Sequence, residues 1–132
     1  MRRVVLFVVA ITVVCVPSAS AAGKASTRVT MDNVESFPSG GVQTIWTGDI
    51  SSAKKGCKNK RRVLVFRDLG DPGADGADEK RGSTRSYKGS AQPGYFWVYQ
   101  EDGIPPAGNY YAKVRATAGC KGDRSPLYDF AG

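Results

Sequence analysis

The sequence predicts an all-β chain: an antiparallel β-sandwich of about seven short strands held by one disulfide. Three observations carry this. Beyond the first 22 residues, apolar residues come in short alternating runs separated by turns rich in Gly and Pro. No stretch of that part repeats at the 3.6-residue period of an amphipathic helix. The same part holds two cysteines, Cys57 and Cys120, an even pair.

The N-terminal residues form a separate unit. Met1-Arg2-Arg3 is a short positive stretch, and Val4 to Val16 is almost wholly apolar. That run is too short to span a bilayer and has the length of a signal-peptide core. Ala19-Ser20-Ala21 supplies the small residues of a cleavage site, so residues 1–21 are expected to be a signal peptide, cut after Ala21 or Ala22. Cys15 lies in the removed segment. The expected product, residues 22–132, is one secreted domain with no transmembrane segment. Its net charge is +5, against +7 for the whole chain, because Arg2 and Arg3 are lost. In an oxidising compartment Cys57 and Cys120 pair. The bond would close a loop worth about 4 kcal/mol in the chain-entropy model.

The strands follow in order. Thr27 to Val34 alternates around Val29 and Met31, and Phe37 to Gly41 breaks it. Val42 to Ser52 places Trp46, Gly48 and Ile50 on one face, which assigns Trp46 to the core beside Val42 and Ile50. Ala53 to Arg62 is a charged connection around Cys57, and Val63 to Phe66 is a strand apolar on both faces. Asp68 to Asp78 is a long turn. Lys80 to Tyr87 is a polar edge strand guarded by Lys80, Arg81 and Arg85. Gly94 to Val114 looks like a hairpin, with Phe96 and Val98 facing inward on its first strand. Ile104-Pro105-Pro106-Ala107-Gly108 forms its connection, since proline has no N–H to give a ladder. Ser125 to Phe130 is a last strand, kept at an edge by Pro126.

Two resemblances follow from these residues. Gly94, Tyr95, Phe96 and Val98, then Pro105, Pro106, Gly108, Tyr110, Ala112 and Val114, resemble the carboxypeptidase regulatory-like domains of the transthyretin-like sandwich group, with Ala107 inserted before the glycine. The resemblance implies an immunoglobulin-like/transthyretin-like sandwich and an accessory, non-enzymatic module. The layout of Cys57, Arg61, Arg62, Val63, Tyr110, Tyr111, Ala112, Lys113, Val114 and Cys120 is similar to that of small secreted actinobacterial proteins of unknown function. In an immunoglobulin-type strand order the two cysteines sit in connections at the same end, so the bridge would clip that end.

The chain has no histidine, which excludes Ser-His-Asp and Cys-His catalysis and imidazole metal ligands. No cofactor is expected. Two binding surfaces stand out. Lys54, Lys55, Lys58, Lys60, Arg61 and Arg62, with Lys121 and Arg124 beside the other cysteine, form a candidate anion-binding end. Tyr95, Trp97 and Tyr99, widened by Tyr111, form a candidate outward aromatic row that would stack on sugar rings or hold a partner protein. The bland alternatives are a solvated charged surface and a covered Trp97. The acidic turn with Asp68, Asp71, Asp75, Asp78 and Glu79 lacks the EF-hand spacing, and no metal site is assigned to it. Glu101 and Asp102 are adjacent, with nothing to oppose them across a cleft, so no glycosidase pair is assigned. The expected partner is an anionic envelope polymer or another protein. Nucleic acid is set aside because the domain is exported.

Overall fold

The computed structural model describes residues 23–38, 40–70 and 78–132. The signal-peptide region, Cys15, Asp71 and Asp75 lie outside these. The described residues form ten strands and a single turn of 3-10 helix, Lys55–Cys57. One sheet holds β1 (Arg28–Val29), β2 (Asn33–Phe37), β3 (Gln43–Ser51), β6 (Tyr87–Lys88) and β7 (Tyr95–Asp102). The other holds β4 (Arg62–Asp68), β5 (Glu79–Arg85), β8 (Gly108–Val114), β9 (Asp123–Arg124) and β10 (Tyr128–Phe130). All strand pairings are antiparallel.

The two sheets share one core. Val29, Trp46, Ile50 and Trp97 come from the first sheet, and Val63, Val65, Tyr110, Ala112, Val114 and Phe130 from the second. The Trp46 ring meets Tyr110 at 4.6 Å and Phe130 at 5.5 Å between centroids, joining the sheets through their aromatic side chains. Val42, expected beside Trp46, lies outside β3 and is exposed; buried Thr44 takes that place in the alternation.

The expected first strand is interrupted. β1 and β2 both pair with β3, and the chain between them stays bonded: the Thr30 and Asp32 amides donate to Asp49 O and Thr47 O, each at 2.9 Å. Gly48 permits this approach. A Cβ there would stand 2.0 Å from Thr30 O and 2.7 Å from Trp97 Nε1.

Two other expectations are corrected by the way the chain crosses between sheets. The polar edge strand divides at Ser86: β5 borders the second sheet, and Tyr87 begins β6 in the first. Ser86 is buried and anchors the crossing. Its N–H donates to Arg61 O, and its hydroxyl donates to Lys58 O while accepting from the Arg61 amide. The segment Gly94–Val114 is not a hairpin. β7 pairs with β3 and β8 with β4, so Gly103 to Ala107 carries the chain over the end from one sheet to the other. Tyr110 donates its hydroxyl to Pro106 O and pins that crossing. The odd-numbered residues of β7 and the even-numbered residues of β8 thus face one core from opposite sides.

This register inverts the expected faces of β7. Cross-strand partners share a face, and Tyr99, Trp97 and Tyr95 stand opposite Trp46, Gly48 and Ile50. Trp97 is therefore fully buried, and Tyr95 and Tyr99 pack against the core. Phe96 is half-buried and Val98 is exposed. The Trp97 indole fills the space that Gly48 leaves and donates to Thr30 O at 2.9 Å. Its burial replaces an exposed ring by a stabilisation of about 3 kcal/mol.

Candidate functional site

Cys57 closes the 3-10 turn that follows β3, and Cys120 lies in the connection after β8. The two are bonded, with their Cα atoms 5.5 Å apart. The N-terminal strand lead-in is tied to the same end: Ala25 N donates to Gly119 O, and Lys121 N donates to Ala25 O. This fixes the end of the domain on which the predicted cations lie.

The structure separates those eight cations. Lys54, Lys55, Lys60, Arg62 and Lys121 are exposed. Lys58 lays its ammonium 5.1 Å from the centre of the Tyr95 ring. Arg124 stacks at 3.7 Å on Tyr111, on the outer face of the second sheet. Arg61 is buried, contrary to its expected place in a solvated patch. Its guanidinium donates to two carbonyls, Arg115 O at 2.8 Å and Cys57 O at 3.4 Å, and burial lowers its pKa. Arginine keeps its charge under such a shift, so Arg61 is a buried cation held by backbone dipoles.

Lys60, Arg61 and Arg62 instead join two residues that sequence reasoning missed, Arg85 and Arg115. With Leu64 and Thr117 they line a cleft of about 270 Å³. Arg62 and Arg85 are direct cross-strand partners in the β4–β5 ladder, an arrangement in which like charges repel. Arg85 also donates to Lys60 O at 3.0 Å. Among the described residues, no carboxylate lines the cleft. The ion pairs among the described residues lie elsewhere: Arg67 with Glu79, and Arg81 with Glu79 and Glu101. The available signal for Arg115 was Cys120. Once the two cysteines are paired, the segment leaving β8 must come to the Cys57 end and bring Arg115 with it.

The aromatic row does not form an outward surface. Tyr111, its fourth member, is on the second sheet, buried against Phe66, and donates its hydroxyl to Asp78 at 2.6 Å. That hydrogen bond, with one from Leu69 N, holds the Asp78 carboxyl below its usual range. On the outer face of the first sheet, exposed Tyr87 instead stands beside half-buried Phe96, 6.5 Å between ring centres. These rings, with Val98, Gln92, Asp32 and Asp49, line a groove of about 350 Å³ on the outer face of the first sheet. Burial, then the neighbouring Asp32 charge and hydrogen bond, raise the Asp49 pKa.

Of the other carboxylates named above, Glu101, Asp68 and Glu79 have partners. Glu101 accepts from Trp46 Nε1 at 2.9 Å and from Arg81, while Asp102 is exposed on the other side of the alternating strand. Asp68 accepts from Gly70 N, and Glu79 pairs with Arg67 and Arg81. Among the described residues no three metal-ligating side chains gather, and no helix is long and apolar enough to cross a membrane.

No known family, curated protein or solved structure matches this chain.

Proposed function

We propose that the protein is a secreted, non-enzymatic module that binds an anionic polymer of the cell envelope through the basic cleft at its disulfide end. One observation carries this: Arg62 and Arg85 face each other across a ladder, joined by Lys60, Arg61 and Arg115, with no carboxylate among the lining residues. Like charges held this close cost stability, and a bound anion removes that cost. Guanidinium groups suit planar, bidentate contact with phosphate, sulfate or carboxylate oxygens. The sandwich is read as immunoglobulin-like/transthyretin-like. In support, β1 with β2 and β9 with β10 lie along the same edges of β3 and β8, so the ten strands reduce to eight runs of chain in two antiparallel sheets. The leader in residues 1–21 and the bonded cysteines support export.

The test is capture of the protein on isolated cell envelope across a salt series. Wild type should bind at low salt and be released as salt rises. A variant with Arg62, Arg85 and Arg115 changed to Ser should lose this binding, while one with Lys54, Lys55 and Lys58 changed to Ser should lose less. Absence of wild-type binding, or equal binding by the cleft variant, overturns the reading. A second reading, a weak carbohydrate-binding module, draws on the groove in which Tyr87 and Phe96 adjoin Asp32 and Asp49. Saturable, salt-insensitive uptake of a neutral oligosaccharide would favour it.

A further inference from the structure

Three of the four arginines in the basic cleft stand in one row across the second sheet. Arg62 on β4 pairs directly with Arg85 on β5. On its other side β4 pairs Val63 with Val114, so the next step of the same register brings Arg115, one residue past β8, beside Arg62. Val63 and Val114 belong to the core, and their neighbours Arg62 and Arg115 take the outer face. Cross-strand partners share a face, which puts Arg85 there too. Neighbouring strands lie about 4.8 Å apart, so the three positions span about 10 Å.

The backbone that carries this row is fixed. Buried Arg61 donates to Arg115 O at 2.8 Å and ties the segment leaving β8 to the start of β4. Lys60 N donates to Ser86 O at 3.0 Å and Arg85 donates to Lys60 O, which joins the ends of β4 and β5. The side chains keep donors to spare. Arg62 reaches Ser83 Oγ only at 3.5 Å, and the bond from Arg85 uses one of its five N–H groups. Among the described residues no ion pair involves Arg62, Arg85 or Arg115. Asp123, across from Val114, is turned to the first sheet, where its carboxylate accepts the Val29 N–H at 2.8 Å.

We propose that the group held by this row is a tetrahedral oxoanion with three free oxygens, a phosphate monoester or a sulfate ester, in preference to a carboxylate or a phosphodiester. The assignment rests on the reading of this cleft as the polymer-binding site and gives the chemistry of the pendant or terminal group it selects. A carboxylate has two oxygens in one plane, and a single bidentate guanidinium occupies both. The other two arginines of the row would then keep their repulsion. A phosphodiester also has two free oxygens and carries one charge. Three oxygens at tetrahedral angles instead meet three guanidinium groups that approach from three strands. A phosphate monoester further brings a charge of about −1.5 to −2 at neutral pH, which offsets more of the like charge gathered here. Thr117, also in the lining, adds a hydroxyl that can donate to an ester oxygen.

The experiment is an NMR titration of the disulfide-bonded protein that follows the arginine Nε–H signals. The probes are glycerol phosphate, methyl sulfate, dimethyl phosphate and acetate at equal ionic strength. Glycerol phosphate or methyl sulfate should shift Arg62, Arg85 and Arg115 and bind about tenfold more tightly than dimethyl phosphate or acetate. Whichever of the two binds more tightly identifies the source as phosphate or sulfate, and equal binding supports the proposal through oxygen geometry alone. Arg85→Lys and Arg115→Lys keep the charge at exposed positions but remove the fork, and each should lose most of the preference over acetate. Acetate or dimethyl phosphate binding as tightly as both monoesters overturns the proposal, as does a preference unchanged in both lysine variants. Envelope capture that depends on the cleft, but that neither monoester competes better than acetate, overturns it while the polymer reading stands. Selective monoester binding at the row without envelope capture supports it and overturns the polymer reading.

Discussion

The two sheets carry different charge and end differently. In the first, Glu35, Asp49, Glu101 and Asp102 outnumber Arg28 and Lys88. In the second, Arg62, Arg67, Lys80, Arg81, Arg85, Lys113 and Arg124 outnumber Asp68, Glu79, Asp123 and Asp129. The net charge of +7 hides this contrast, because most of its excess lies outside the strands, in Lys54 to Arg61 above all. The cationic sheet has a charged edge and an end tied by a disulfide. The acidic sheet has an aromatic groove on its outer face. The comparison teaches that a basic domain of this kind can segregate its charge by sheet and so present two chemically opposite surfaces.

The largest expected effect concerns the core that joins the two sheets. Trp97→Ala should cost about 3 to 5 kcal/mol in urea unfolding. A loss under about 0.5 kcal/mol, the usual size for a surface position, would restore the outward aromatic row. Acrylamide should quench neither Trp46 nor Trp97 strongly, since both are fully buried.

Next comes the end of the cationic region. Replacing Cys57 and Cys120 by Ser should cost about 4 kcal/mol. Amide exchange should rise around the 3-10 turn and Gly119 and remain unchanged along β7. A uniform rise in both regions would show that the two ends are not mechanically separate.

Removing Arg62, Arg85 and Arg115 together should reduce envelope affinity at low salt by about tenfold or more, or about 1.4 kcal/mol. The slope of affinity against salt should flatten as well. The protein itself should become slightly more stable, because the Arg62–Arg85 repulsion is relieved.

The smallest effects are opposite in sign and use pH. The folded-state pKa of Asp78 is lowered, chiefly by the Tyr111 hydroxyl. Asp78 therefore adds stability above the ordinary carboxylate pKa, and that stability fades as pH falls through its depressed value. Asp49 is raised by burial and by Asp32, so it subtracts stability above its elevated pKa. At neutral pH Asp78→Asn should lower the Tm by a few degrees and Asp49→Asn should raise it slightly. Both differences should vanish in acid below the pKa values of both states. A pH-independent difference for either variant would show that packing, not ionisation, accounts for it.

Much of this architecture is legible in short windows of sequence. Strand runs, turn positions and the absence of helical periodicity are local, and each depends on residues a few positions apart. The pairing of Cys57 with Cys120 follows from their being the only two cysteines after residue 22. The β7 faces were misread because alternation shows that Trp97 and Val98 point opposite ways without showing which way is in. Gly48 was the available clue: a glycine between Trp46 and Ile50 on an inward face leaves room for a large partner opposite.

By itself, then, the sequence determined an all-β chain, its breaks, its cysteine pair and the cluster of cations near Cys57. Only tertiary structure decided that Gly94–Val114 spans two sheets, that Trp97 is core, that Arg61 is buried, and that Arg85 and Arg115 complete the cleft. The physical reason is register. The side-chain period of a strand is two, so a shift of one residue exchanges its faces. That register is set between strands distant in sequence, here by Trp97 seated opposite Gly48.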